Sequence, residues 1–407
     1  MTSKTTSNKK HLVLHFDVNE TLLAGDVAGG DTKDDCLNKM IAKNAFVQIP
    51  KEIANELEQN YAPKSILKKI EPTNWWDGTI ITPKFEPNKD EKIPKIHTKW
   101  DWINGCAPYY RTAFKNRAKT FTKCDGSIYR PLYLQLEQSL LLNEDNISEE
   151  VDPRISHDGK SHFLFPAFFH TIATLDRQKR DFTIVLRTFG SDLSDVANAI
   201  TAFATGKHPD FPDFYRSDLI LSPKNMYRGR WKKDDNDTTT TSNSKSKSTG
   251  TDCTANHTYN LHEWAPEKEN GSNSKSKIVA SGDEDVLQLI EGSTMCGIQD
   301  DYNFWDKHNC LPQSGKPIWI RSDPNHSEST GTHHIMFDDN IQNDPLDSIV
   351  GARFEDKDQN KYTSLSGEDI QKMQGKYLVR VPTVEPILNT DWFLEQIETC
   401  EERVKNK

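Results

Sequence analysis

Residues 12–23 read LVLHFDVNETLL, and the reading of this stretch decides the fold. A short apolar run ends on Asp17 and gives way at once to polar residues and Thr21. An apolar run without polar alternation is what a strand covered on both faces looks like. An aspartate closing a strand is ordinarily a turn former or a helix cap. At the carboxyl edge of a buried parallel sheet the same residue can be a nucleophile. What the rest of the chain brings to that edge decides between the two.

Further apolar runs at Leu219–Leu221, Phe182–Leu186 and Ile335–Phe337, with KYLVRV at 376–381, have the same character. Helical patterns lie between them: DDCLNKMIAKNAF from 34, FPAFFHTIATLDRQ from 165 with proline in its first turn, SDLSDVANAITAFATG from 191 with Ser191 or Asp192 as cap, and about 391–404. Strands alternating with helices predict an α/β fold, a Rossmann-like parallel sheet with helices on both faces.

Two segments break the rhythm. From about 47 to 155 the chain is rich in proline, lysine and aromatics, as in NWWDG and KWDWINGCAPYY; this is too long for a loop and predicts an inserted subdomain. Its Trp75, Trp76, Trp100 and Trp102 are read as packing that subdomain's own small core, the alternative being stacking on a sugar or base. Arg111, Lys115, Arg117 and Lys119 are read as a solvated helix face, the alternative being contact with a phosphate-bearing substrate. The second segment, about 232–276, holds the Ser/Thr/Lys tracts KKDDNDTTTTSNSKSKSTGTD and ENGSNSKSK, which predict a mostly disordered loop from which the island YNLHEWAP docks back on the body.

The charge of −10 gives no support to a nucleic-acid-binding surface. Seven cysteines without a CxxC pair argue against a disulfide framework and a structural zinc site. The most apolar stretch, HFLFPAFFHTIATL, is interrupted by Pro166 and His170 and is short for a membrane span. A cytoplasmic protein without membrane association is the expectation.

The constellation comes from reading in chain order. FTIVLRTFG ends a strand on Thr188, SGKPIWI offers Lys316 ahead of an apolar run, and HHIMFDDN ends a strand on Asp338 and Asp339. In a parallel sheet such strand ends converge on one crevice. Three crowded carboxylates are hard to keep ionised without a cation between them, and an all-oxygen set suits Mg²⁺ with a substrate phosphate. Thr188 and Lys316 could then hold phosphoryl oxygens while Asp17 attacks phosphorus, a task of positioning and charge neutralisation. The adjacent His333 and His334 face opposite ways on a strand and receive no metal role.

FDVNETLL, VLRTFG, GKP and IMFDDN together resemble the four ordered motifs of the haloacid dehalogenase superfamily, over about residues 10–25 and 182–345. The resemblance implies a core from 1–30 and 156–407, with a cap subdomain at 31–155 over the crevice. It implies that Asp17 is nucleophile and Mg²⁺ ligand, that Asn19 lends its backbone carbonyl to the metal, and that Thr21 steadies the turn. Thr188 and Lys316 would bind the phosphoryl group of a phosphorylated small molecule, Asp338 would hold the metal and Asp339 support it. Lys277 and Lys307 also lie upstream of the last motif as alternatives to Lys316.

Asn19 departs from the pattern, because phosphatases of the family carry an aspartate there as acid and base. The dehalogenase branch has an aromatic residue instead and works without metal, so the retained Asp338–Asp339 pair disfavours dehalogenation. Three readings follow: a substrate with a good leaving group, a substitute acid such as Glu20 or His15, or a catalytically weak or inactive protein that binds a phosphorylated ligand.

Overall fold

The run around Asp17 folds as a strand buried throughout apart from His11. In this computed structural model residues 10–25, 30–60, 64–83, 93–146, 150–234, 252–264, 276–321, 331–342, 348–356, 361–365 and 368–405 are described. The strands in chain order begin with β1 (His11–Asp17), β2 (Phe46–Gln48), β3 (Cys106–Pro108), β4 (Phe182–Thr188), β5 (Met226–Lys233) and β6 (His257–Glu263). They continue with β7 (Ile278–Ser281), β8 (Met295–Gln299), β9 (Lys316–Ile320), β10 (Thr332–Asp338), β11 (Val350–Asp356), β12 (Lys361–Ser364) and β13 (Leu378–Arg380).

Eight of them form one sheet in the order β13-β10-β1-β4-β8-β5-β6-β7. Every pairing from β13 to β5 is parallel, and β6 and β7 close that edge antiparallel. The fold is therefore mixed α/β with a large, mostly parallel central sheet. Leu12, Leu14 and Phe16 of β1 enter the main core with Ile184, Leu186, Ile335 and Phe337. Helices Pro166–Arg177, Leu193–Ala204 and Trp392–Lys405 cover this face. Phe16 stacks on Phe337 at 4.9 Å and meets Phe168 and Phe393 edge-on.

The opposite face carries Val13, Val185, Cys296 and Ile298, covered by helix Asp283–Glu291 and by Trp319 of β9. That strand belongs to a separate three-stranded sheet, β12-β11-β9. One face of the large sheet is thus helical, and the other is shared between a helix and the small sheet.

Two sequence expectations need correction. Leu219–Leu221 is not a strand: its start lies in a 3₁₀ turn, Ser217–Leu219, although Leu219 and Leu221 still fill the main core. The strand beside β4 is instead β8, whose Gly297 lies where a Cβ would collide with Leu193. A glycine and a cysteine dilute the apolar signal of β8, and the three-residue 219–221 run has Pro223 close behind. Within the expected loop, 232–276, the island YNLHEWAP does dock on the body: its first five residues belong to β6, which pairs with β5 from Tyr227 to Lys233, so the ordered part is wider than expected. The remainder of that expectation, 235–251 and 265–275, lies outside the described residues.

The inserted region builds its own hydrophobic cluster from Leu37, Met40, Ile41, Trp75, Tyr109, Phe121, Tyr129 and Leu136, joined by Phe165, Val384 and Ile387. Helix Lys33–Asn44 starts on a capping box: the Asp35 N–H donates to Thr32 Oγ1 (3.2 Å) and the Thr32 N–H to Asp35 Oδ2 (3.0 Å). Leu37, Met40 and Ile41 face the cluster, which leaves Lys39 and Lys43 on a different stripe. Among the described residues no helix is long and apolar enough to cross a membrane.

Candidate active site

Asp17, Thr188 and Asp338 are the last residues of β1, β4 and β10, three neighbouring strands. The register pairs Phe16 with Phe337 and Asp17 with Arg187, so the three ends lie side by side. Asp17 shares its strand face with Val13 and His15, the face covered by the small sheet. Lys316 therefore reaches it from that sheet. Its Nζ donates to Asp17 Oδ1 and to Asp338 Oδ2, the latter at 2.8 Å.

Local backbone chemistry explains the GKP sequence. A Cβ at Gly315 would run into the Ile349 carbonyl, the same carbonyl that accepts from the Lys316 N–H at 2.8 Å. The Pro317 carbonyl accepts from Arg187 Nη1 at 2.8 Å, which ties the start of β9 to the large sheet. Among the described residues Lys277, 76% exposed, pairs only with Glu263 at 3.9 Å, and Lys307 is exposed at the end of helix Tyr302–Lys307. Lys316 alone of the three lysines lies between Asp17 and Asp338.

Asp339 completes a triad with Asp17 and Asp338: all three are buried, with ligand oxygens within 4.8 Å of one another. Lys43 Nζ donates to Asp339 Oδ2 (2.8 Å) and to Glu20 Oε2 (2.6 Å). Asn340 Nδ2 donates to Asp339 Oδ1 at 2.8 Å, and the Asp339 N–H donates to Thr21 Oγ1 at 3.2 Å. Thr21 thus ties the turn after β1 to the end of β10. In that turn Glu20 takes a left-handed φ of 60°, with its N–H on the Leu23 carbonyl at 2.9 Å.

Two ammonium groups, one of them shared with Glu20, face the three carboxylates. Burial drives the Asp17 carboxyl well above its ordinary range; Lys316 opposes this, while Asp338 and Asp339 add to it. Asp339 is pushed up to about 6, by burial first, with Lys43 opposing and Glu20 and Asp338 adding. Burial works against the Lys316 charge, but Asp17 and Asp338 outweigh it and raise the ammonium above its ordinary value. The three carboxylates together could hold a metal ion.

Neither substitute acid near Asn19 is available. Burial raises Glu20, yet Lys43 and Lys39 together bring it below its ordinary value, so it is ionised. His15 bonds to His334 Nδ1 (3.0 Å) and lies 3.3 Å from Arg187 Nη1. Burial, then His334 and Arg187, lower its pKa strongly and keep it neutral. Asn19 itself donates from Nδ2 to Asp192 Oδ2 at 3.1 Å, and Asn19 Oδ1 and Asp192 Oδ1 are buried without a partner among the described residues. Thr188 Oγ1 accepts from the Gly190 N–H at 2.9 Å, which leaves its hydroxyl proton to donate.

Sequence reasoning missed three members of this neighbourhood. Lys43 was hidden in a helix read for its apolar face. The sequence offers Asp192 as a helix cap, but its side chain makes no capping bond and takes the Asn19 amide instead. Arg187, an arginine inside a strand buried along its whole length, was the available signal of a buried network; its guanidinium pairs with Asp300 at 2.6 and 2.9 Å. No protein-family model, no curated protein and no solved structure matches the chain.

Proposed function

We propose that this is a Mg²⁺-dependent phosphohydrolase or phosphotransferase site that works through an aspartyl-phosphate on substrates with good leaving groups. The supporting observation is the meeting of Asp17, Thr188, Lys316 and the Asp338–Asp339 pair at one sheet edge, although they come from separate stretches of the chain. On this reading the fold is a Rossmann-like haloacid-dehalogenase core, and the inserted region is a cap that limits water and selects substrates.

Three buried carboxylates with oxygens within 4.8 Å of one another fit a hard divalent cation. Asp17, Asp338 and Asp339 would hold it, with the Asn19 backbone carbonyl. When bound, Mg²⁺ would keep the carboxylates ionised and neutralise charge on the transferred phosphoryl group. Asp17 supplies the oxygen that forms the new bond to phosphorus as the bond to the leaving oxygen breaks. Lys316 holds phosphoryl oxygens by charge, and Thr188 by its free hydroxyl proton. Water then hydrolyses the aspartyl-phosphate, or an acceptor takes the group.

The amide of Asn19 cannot protonate a leaving oxygen, Glu20 is locked to two lysines, and His15, held neutral, is too weak an acid to do so. The leaving group must therefore depart as an anion, which selects acyl phosphates, anhydrides and aryl phosphates over alkyl esters. The same observation favours a second reading, an inactive module that binds a phosphorylated ligand. Phosphate release from aryl, acyl and sugar phosphates, with Mg²⁺ or EDTA, separates the two. The expected outcome is Mg²⁺-dependent turnover of the first two classes, lost in Asp17→Asn. No turnover on any member, with no aspartyl-phosphate trapped, leaves only the binding module.

A further inference from the structure

A cavity of about 300 Å³ adjoins the carboxylate triad through Asp339, large enough for a small ligand. Its walls bring together the inserted region and the central sheet: Lys43, Tyr110, Arg111 and Lys115 from the first, Arg380 at the end of β13, and Trp305. Trp305 stacks at 5.3 Å on Phe189, whose ring lies 5.4 Å from Lys316 Nζ, so an aromatic pair leads from the cavity to the reacting groups.

Among the described residues the balance of charge in these walls is one-sided. Among the described residues Asp339 is their only carboxylate, and Lys43 already holds it. Lys115 is exposed, with its ammonium 5.1 Å from the Tyr110 ring; Lys43 lies 5.6 Å from the same ring. Arg380 is half-buried, yet among the described residues its guanidinium has no carboxylate within ion-pair reach and touches only the Lys99 carbonyl, at 3.4 Å. Burial pushes its pKa down to about 10, with Asp339 opposing and Arg111 adding to the fall. A half-buried guanidinium beside further cations gains from an anion. The chain as a whole carries −10, so this concentration of positive charge is not a reflection of composition.

We propose that the substrate carries a second anionic group, a phosphate or a carboxylate, which Arg380 and Lys115 receive in this cavity while the first phosphate is engaged at Asp17. This rests on the phosphoryl-transfer reading of Asp17. Guanidinium groups suit either anion because their planar donors match two oxygens at once. A doubly anionic molecule of small size is selected, and simple monophosphates are bound without the second contact.

The test uses alkanediol bisphosphates with linkers of increasing length, the matching compounds with one phosphate replaced by carboxylate, and the matching alkyl monophosphates. Each is titrated calorimetrically into the full chain with Mg²⁺, and 4-nitrophenyl phosphate turnover is followed in parallel. At some linker length a second anion should tighten binding about tenfold or more, and comparing the two series shows which anion is preferred. Arg380→Gln and Lys115→Gln should each remove most of that gain. Monophosphate binding and nitrophenyl phosphate turnover should stay within about twofold of wild type. Lys115 is exposed, so its variant keeps the test valid should Arg380→Gln not fold. No gain at any length, or a gain that survives both substitutions, overturns the proposal. Mg²⁺-dependent turnover without a second-anion preference defeats this inference alone, whereas a preference without any turnover defeats the enzymatic reading and leaves the anion site.

Discussion

Asn19 occupies a position whose surroundings suit an amide: its nitrogen donates to Asp192 at 3.1 Å. An aspartate there would set two carboxylates against each other, and such a pair holds one proton more tightly than either acid alone. Asn19→Asp should therefore create the missing acid. Rates on alkyl and sugar phosphates should rise by about 10²–10⁴, with aryl phosphates little changed, as kcat/KM across one panel would show. A uniform loss over the panel would mean instead that the turn after β1 cannot carry the second carboxylate. Glu20 illustrates why proximity in sequence is a poor guide to such roles. Its left-handed φ turns it to Lys39 and Lys43, where it is a counter-ion.

At the scale of elements, the large and small sheets are joined through Arg187, fully buried on β4, which donates to Asp300 and to the Pro317 carbonyl while Tyr259 donates to Asp300 at 2.7 Å. Arg187→Met would leave Asp300 buried and unpaired, at a cost of about 3–5 kcal/mol. A lower urea midpoint with an unchanged slope would register this, and Asp300→Leu in the same chain should restore part of it. The ends of β1, β4 and β10 were legible in the sequence because strands buried on both faces leave continuous apolar runs, and their polar termini stand out. Lys316 was legible as a residue but not as a member of another sheet, since pairing between β9 and β11 depends on partners distant in the chain. The strands β5, β6 and β7 were obscured for a different reason. They form the edge of the sheet, where alternating polar residues such as Arg228, Arg230 and His262 are tolerated, and polar tracts flank them. Lys43 left no signal, because a lysine on a helix is ordinary until tertiary structure brings it to a carboxylate.

For the molecule as a whole, acid sensitivity follows from His208, which is fully buried. Its ring lies 4.7 Å from Phe169 and 5.1 Å from Phe211, and its Nδ1 accepts from the Asp210 N–H at 3.2 Å. Burial, reinforced by His162 and opposed by Asp210, lowers its pKa to about 3. The unfolded chain takes up that proton near 6.5. Between these values the folded state binds fewer protons, so stability is intact above about pH 6.5 and is lost as pH falls towards 3. The loss amounts to roughly 3–5 kcal/mol at the bottom of the window. Urea unfolding at a series of pH values should show a slope up to about 1.4 kcal/mol per pH unit steeper for wild type than for His208→Leu; equal slopes would exonerate His208. A different kind of coupling follows from the way Lys316 reaches the site. The lysine belongs to the small sheet and both carboxylates it holds belong to the large one, so these groups are also a clasp between two separately hydrogen-bonded layers. Loading a phosphoryl group onto Asp17 would draw Lys316 towards the new oxygens and slacken that clasp. On the proposed reading, then, phosphoryl transfer and the Lys316 link between the sheets would draw on one ammonium group, while the Arg187 link stays in place.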